Sequence, residues 1–323
     1  SRKFCRHISF KITIVNSEFP IVGVIGAGQN VRMMIAPATA LGIKLLPFAS
    51  SVTDSAAQIT PCIIGDYTDI EAVKKFAEHC DVITFEHEQV PPSIIKALEV
   101  NGVRVRPSLE TFVSVQKKLS NKVSKDFDFE ISVLVGRSPH AQATTWAPTQ
   151  IIKSNRISTM TVSPAPMLSH TMSEDAQKTA LEVAAEVNLI GVMAVEMFVK
   201  GDQLFINELA MRPHNSGHWT IDGSVTSQFE QHLRAILDLP LGDTSMTAKY
   251  AVMGNVLGGE KEDMYRPYLH LLARTPKLKV HQYRKEVKPG RKIGHVTLLG
   301  ENLVELTTEV QHAIDYMGGV IDE

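Results

Sequence analysis

Cysteine is scarce in this chain. Cys5, Cys62 and Cys80 lie far apart and show neither metal-site nor redox-motif spacing. A disulfide framework is therefore not expected, and a reducing, cytoplasmic setting is. Excess charge of one sign is also missing: the formal net charge is −2, so nothing points to nucleic acid or to an acidic membrane face. No run of eighteen apolar residues occurs in the sequence, which argues against a membrane-spanning helix. What is present is 323 residues, 44% of them hydrophobic, enough for two or three globular domains with real cores. The opening stretch SRKFCRHISFKITIVNS carries Lys and Arg but no acid. A transit peptide is one reading of it, and a plain extension is preferred.

Apolar runs and helical periods alternate over roughly the first third. PIVGVIGAGQ reads as a strand ending in a Gly-rich turn, VRMMIAPATALG as a helix with a kink at Pro37 and a stop at Gly42, and IKLLPFAS, CIIGDY and DVITFEHEQV as strands. TDIEAVKKFAEHC opens with the capping-box pair Thr68 and Glu71. This alternation predicts a parallel sheet covered on both faces. Further on, EISVLVGRS and AQATTWAPTQIIKSN look antiparallel. SEDAQKTALEVAAEVNLIG is an amphipathic helix with Gly191 after its end, and SVTSQFEQHLRAILDLP is a second helix. LKVHQY and KIGHVTLLG predict a small C-terminal sheet closed by the helix LVELTTEVQHAIDYMG.

The stretch MAVEMFVKGDQLFINELAMRPHNSGHWT carries the strongest chemical signal. It reads as a β-hairpin with Glu196 and Glu208 in otherwise apolar runs. A three-residue loop over Gly201 to Gln203 would set the two glutamates opposite each other on one face, and a two-residue loop would set them on opposite faces. Opposed carboxylates repel unless a hard cation lies between them, and two carboxylates with waters and phosphate oxygens suit Mg²⁺. The competing reading is two solvated glutamates on an exposed face. Asn207 points the other way, or joins the metal if a bulge intervenes. RPHNSGHW then gathers Arg212, His214, Asn215 and His218, groups suited to a phosphate, a carboxylate or a sugar. KEVKPGRKIGH supplies a second basic cluster with Lys285, Lys288, Arg291 and Lys292 around a Pro-Gly turn. GAGQNV resembles a dinucleotide loop, but Val31 stands where a third glycine belongs and no acid ends the second strand, which weakens a dehydrogenase reading. FEHEQV places Glu86 and Glu88 at a strand's C-terminal end, where open α/β sheets bind ligands.

Taken in order, GVIGAGQ, GDYTD, DVITFEHEQV, VRPSLETFVSVQKKL, FEISVLV, VSPAP, GVMAVEMF, INELAMRPHNSGHWTIDGSVTSQFEQHLRAILDLPLGDT and KPGRKIGHV resemble the N5-carboxyaminoimidazole ribonucleotide synthetases, over about residues 20 to 305. The resemblance implies an ATP-grasp fold of mixed α/β and α+β class: a Rossmann-like parallel-sheet domain, an antiparallel catalytic domain and a small C-terminal sheet. It implies a ligase of purine synthesis that uses ATP, Mg²⁺ and bicarbonate to carboxylate the exocyclic amine of 5-aminoimidazole ribonucleotide. Matched residue by residue, Glu196 and Glu208 stand at the metal positions. Gln29, Glu86, His214, Asn215, Lys285, Arg291 and Lys292 stand at substrate positions, with Arg212 and His218 beside the chemistry. Lys118 and Glu130 stand at ATP-binding positions. A homodimer is implied by the same likeness.

Two departures stand out. Asn30-Val31 follow the loop glutamine where the family has Leu-Gly or Leu-Ala. Between about Ser120 and Asp126, the family carries a lid subdomain over the nucleotide, and here KLSNKVSK runs almost directly into DFDFEISVLV. Either the molecule carries a lid that this sequence omits, or the lid is deleted and turnover is impaired. The boundaries expected are an extension at 1–19, a first domain at 20–118, a junction at 119–126, a catalytic domain at 127–265 and a C-terminal subdomain at 266–323.

Overall fold

Short apolar runs form the first sheet. In the computed structural model, residues 19–118, 127–155, 157–260 and 263–321 are described. Strand β1 (Ile21–Ile25) leads into helix α1 (Gln29–Ala40), then β2 (Lys44–Ala49), β3 (Ile63–Ile64), α2 (Ile70–Ala77), β4 (Val82–Phe85), α3 (Pro92–Val100) and α4 (Leu109–Lys118). The four strands are parallel in the order β3-β2-β1-β4. β1, β2 and β4 are buried along nearly their whole length, the mark of a sheet covered on both faces. Pro37 lies inside α1, and Gly42 beyond its end takes φ +72°. The cap of α2 is Asp69, not Thr68: its carboxylate accepts from the N–H groups of Glu71 and Ala72, while the Thr68 hydroxyl donates to Asp66. Asp outcompetes Thr here because its charge also meets the helix dipole.

The second sheet is antiparallel throughout. It draws on β5 (Phe129–Arg137), β6 (Ala143–Thr145), β7 (Thr149–Ser154), β8 (Ile157–Ser163), helix α5 (His170–Glu186), β9 (Gly191–Lys200), β10 (Gln203–Ala210), a short α6 (Thr220–Gly223), α7 (Gln228–Ile236), β11 (Tyr250–Leu257), α8 (Pro267–Arg274), β12 (Lys279–Gln282), β13 (Lys292–Gly300) and α9 (Leu303–Gly318). The order is β10-β9-β5-β7-β8-β11-β13-β12, with β6 on β5. The two C-terminal strands therefore extend this nine-stranded sheet rather than standing apart, because β13 pairs with β11 over eight positions. Helix α5 begins earlier than the SEDAQ stretch suggests: Ser169 caps it, and Asn188 at φ +50° follows its end. Gly191, at φ +126°, opens β9 instead.

The expected extension lies, apart from its last residue, outside the described residues, and the 119–126 junction lies wholly outside them. Among the described residues no helix is long and apolar enough to cross a membrane.

Candidate active site

The hairpin β9–β10 turns through two residues, Gly201 and Asp202, since Lys200 pairs directly with Gln203. Of the two loop lengths weighed from sequence, the two-residue one forms, with Gly201 at φ +55° supplying the left-handed backbone of a tight turn. With that register alone, Asn207 would face Glu196. A bulge between Ile206 and Glu208 takes up Asn207 as an extra residue and restores the pairing of Glu208 with Glu196. The glutamates thus face each other across the strands through a two-residue loop combined with the bulge at Asn207.

Their environments differ. Glu196 is 8% exposed, while Glu208 is open to solvent. Burial pushes the Glu196 carboxyl up to about 7, and the nearby Glu208 and Glu130 add to the rise against Lys153 and Lys292. Glu196 borders a cleft of about 200 Å³ shared with Lys153, His214, Asn215, Ser216 and Lys292. Lys153 forms an ion pair with the buried Glu130. Burial draws the Lys292 ammonium down to about 8, and it donates to Asn215 Oδ1 at 2.9 Å. Asn255 Nδ2 donates to the same oxygen at 3.0 Å and to the Ser158 carbonyl at 2.9 Å. His214 Nδ1 lies 3.6 Å from Glu196 Oε1. Burial, with Arg212, Lys292 and Lys153 nearby, drops His214 to about 3. The ring is therefore neutral and this contact is not an ion pair.

Among the described residues no group of three or more His, Cys, Asp or Glu side chains gathers as a complete metal cage. A carboxylate pair is nevertheless a donor set for Mg²⁺, which fills its remaining positions with water and substrate oxygens. Burial raises Glu196 first and the charge of Glu208 adds to it, and a divalent cation would relieve that repulsion. The residues fit that ion, and Glu196 and Glu208 would hold it.

A second cluster lies at the end of the parallel sheet. Glu86 accepts from the backbone N–H of Gly28 and, at 3.2 Å, from that of Asn30. The carboxylate occupies the N-terminus of α1, a place that otherwise suits a phosphate. Gly28 is required there, because a Cβ would strike Glu86. Burial raises Glu86, against the two N–H donors, Lys285 and Arg212. Gln29 starts α1 beside it. Arg212 Nε donates to Glu88 Oε2 at 3.0 Å and lowers His214 electrostatically, so its charge is felt by both clusters.

Other expected site residues lie elsewhere. His218 is fully buried; its Nδ1 accepts from Gln228 Nε2 at 3.0 Å, and its ring lies 5.1 Å from that of His295. It is not among the cleft-lining residues. Arg291 sits on the exposed turn, 3.6 Å from Glu286. Lys118, at the end of α4, pairs with Glu186 of α5. Lys153, Asn255 and Ser132, which accepts from Ser216 at 2.8 Å, escaped the sequence reading. Ser132 and Asn255 are single polar residues in apolar runs, Lys153 stands near the end of β7, and only the sheet order brings them together.

Three family models tile the chain: a ribonucleotide synthetase preATP-grasp domain over residues 20–116, an ATP-grasp domain over 111–229 and a phosphoribosylaminoimidazole carboxylase C-terminal domain over 251–309. The N5-carboxyaminoimidazole ribonucleotide synthase of Mycobacterium tuberculosis is 35% identical over 376 aligned positions, covering 92% of this chain and 88% of that protein. The chain belongs to the N5-carboxyaminoimidazole ribonucleotide synthase family. The structure agrees with this family's ATP-grasp fold. A carboxyaminoimidazole ribonucleotide synthase from Aspergillus clavatus, complexed with ATP, superposes with a TM-score of 0.84 at 26% identity, covering 94% of this chain and 99% of that one. The Aspergillus clavatus enzyme in complex with ADP and 5-aminoimidazole ribonucleotide gives 0.83 at 26% identity, covering 93% and 98%. The 376 positions of the mycobacterial alignment exceed the 323 residues here, so that family member has residues without a counterpart in this chain.

Proposed function

We propose that the chain is an ATP-grasp ligase of de novo purine synthesis, carboxylating 5-aminoimidazole ribonucleotide to N5-carboxyaminoimidazole ribonucleotide at the expense of ATP. The observation that carries this reading at the site is the cross-strand pair Glu196 and Glu208 beside a cleft walled by Lys153, Lys292 and neutral His214. In the reaction, a bicarbonate oxygen attacks the γ-phosphorus of ATP and ADP leaves. The carboxyphosphate, or CO₂ released from it, is captured by the substrate's exocyclic amine, with loss of phosphate and a proton. Mg²⁺ supplies charge neutralisation on the transferred phosphoryl group when bound. Lys292, with its ammonium at about 8, remains mostly protonated at neutral pH and presents positive charge to the cleft. Glu86, Gln29, Lys285 and Arg212 form the ribonucleotide's side of the site, Arg291 stands on the turn beyond it, and Lys118 and Glu130 serve the nucleotide. We place the enzyme in the cytoplasm as a homodimer, in keeping with its sparse cysteines and its family likeness.

The test is release of ADP by the purified chain with Mg²⁺, bicarbonate and 5-aminoimidazole ribonucleotide. Glu208→Gln should abolish Mg²⁺-dependent turnover with thermal stability near wild type, since Glu208 is exposed. A normal rate in that variant would remove the metal role. A second reading, binding without turnover, draws on the residues that the mycobacterial relative has and this chain lacks. Saturable ribonucleotide binding with no ADP release would favour it.

A further inference from the structure

His270 of α8 and His312 of α9 come together from distant parts of the chain, and neither borders the Glu196 cleft. Their Nε2 atoms lie 3.2 Å apart, so the two rings aim those nitrogens at one another. Both side chains are half-buried. The helices that carry them are fixed, because Leu271 of α8 shares one core with Val310, Ala313 and Ile314 of α9. Tyr316, one turn beyond His312, packs against both rings. Its ring lies 4.4 Å from that of His270, and it stacks at 17° on that of His312 with centroids 6.2 Å apart. Side chains placed on packed helices hold a geometry more closely than side chains on loops.

The separation matches the bite of a metal ion. Two imidazole nitrogens at about 2.05 Å from a tetrahedral Zn²⁺ stand about 3.3 Å apart. At a right angle, as around Cu²⁺ or Ni²⁺, they stand about 2.9 Å apart. The observed 3.2 Å falls between the two values. Without an ion, one Nε2 donates to the other. With an ion, both Nε2 lone pairs face the metal, so the ring that carries its proton on Nε2 shifts it to Nδ1, and a neutral pair loses no proton. His312 suits this role: burial, with Arg274 and His270 nearby, lowers it against Glu309 and Asp315, which keeps the imidazole neutral at neutral pH. The positive charge of Arg274 is countered, since it donates to both carboxylate oxygens of Glu309 at 3.2 and 3.1 Å. A groove of about 610 Å³, lined by Arg266, Leu269, His270, Ala273, Arg274 and Tyr316, gives an ion and its waters a way in. Imidazole nitrogens select Zn²⁺, Cu²⁺ or Ni²⁺ over Mg²⁺, which prefers oxygen.

We propose that His270 and His312 form a binding site for a divalent ion of the Zn²⁺, Cu²⁺ or Ni²⁺ class, held by the two Nε2 atoms with water completing its shell. The bound ion ties α8 to α9. Its ligands and its elements differ from those of Glu196 and Glu208, where Mg²⁺ is expected.

The full chain, stripped of metal with a chelator, is titrated with Ni²⁺ by calorimetry. His270→Gln and His312→Gln should each weaken the affinity about tenfold or more, because each removes one of two protein ligands. Ni²⁺ should raise the wild-type Tm and raise that of each variant less. A second measurement needs no variant: one equivalent of Cu²⁺ added to the wild type should give an electron paramagnetic resonance spectrum coupled to two imidazole nitrogens. Wild-type Ni²⁺ affinity in either variant, or a Cu²⁺ spectrum without imidazole nitrogens, overturns the site.

Discussion

Glu196 is the side chain whose charge state links the site to stability. With its carboxyl near 7 when metal-free, it holds a proton that the unfolded chain, with an ordinary value of 4.5, has already released. Stability therefore falls as pH rises through that window, and the full cost is present above it. At about 1.4 kcal/mol per pH unit, the cost is on the order of a few kcal/mol. Glu196→Gln should accordingly stabilise the metal-free protein at pH 8, hardly change it at pH 4, and abolish Mg²⁺-dependent ADP release. Urea unfolding at the two pH values reads this, and an equal gain at both would show that the carboxylate is not the ionising group. That Glu196 and Glu208 stand as isolated acids in apolar runs was legible in sequence, and such acids are costly to bury. The Asn207 bulge was not, because one extra residue leaves no periodic trace. Lys153 escaped too, as a lone lysine near a strand's end resembles ordinary solvated surface.

The loop from Met211 to Trp219 is positioned less by its own residues than by the first residue of α7. Gln228 is fully buried. Its Nε2 donates to the His214 carbonyl at 2.8 Å and to His218 Nδ1 at 3.0 Å, and its Oε1 accepts from the His214 N–H at 2.9 Å. Gly217 must lack a side chain because a Cβ would lie 2.7 Å from that oxygen and would strike Leu134. Gln228→Ala leaves the His214 N–H and His218 Nδ1 without partners, while the His214 carbonyl still accepts from the Gly217 N–H, so it should lower stability by about 2 kcal/mol and raise KM for the ribonucleotide. Denaturant titration and steady-state kinetics measure the two effects, and an unchanged KM would detach the loop's order from α7. Helical periodicity revealed α7 itself, but not that a glutamine at its start faces inward. Strand β11 went unread for a related reason: YAVMGNVL is buried on both faces, so it shows no alternation. The helix ends at Asp69, Ser169 and Asn188 were displaced from their expected places because several cap-competent residues stand close together there, and only tertiary packing chooses among them.

The two sheets share a wall rather than meeting across a hinge. Phe229, Leu233 and Ile236 of α7 join the core built on Val22, Val24 and Val82 of the parallel sheet. Arg106 donates to the Ile236 carbonyl and pairs with Asp238 just past α7. The change from alternating to antiparallel elements near residue 120 was visible in the sequence, but this shared core was not, since its residues come from segments far apart in the chain. His232 makes the most direct link. Its Nδ1 lies 3.1 Å from the Val192 N–H of β9 and must accept; the proton therefore sits on Nε2, which donates to the Thr84 hydroxyl of β4 at 2.8 Å. Burial holds the ring at about 3, against an ordinary 6.5. Between those values the unfolded chain binds a proton that the native protein does not, so this contribution is whole above about 6.5 and is lost as pH falls toward 3. His232→Gln can keep a donor to Thr84 but gives up the acceptor for Val192, which should cost about 1–3 kcal/mol at pH 7.5. Because glutamine does not titrate, the gap in unfolding free energy between wild type and variant should narrow by pH 4.5. Paired urea titrations at the two pH values measure it, and a gap that stays constant would mean that His232 is not the group through which acid loosens the joint between the sheets.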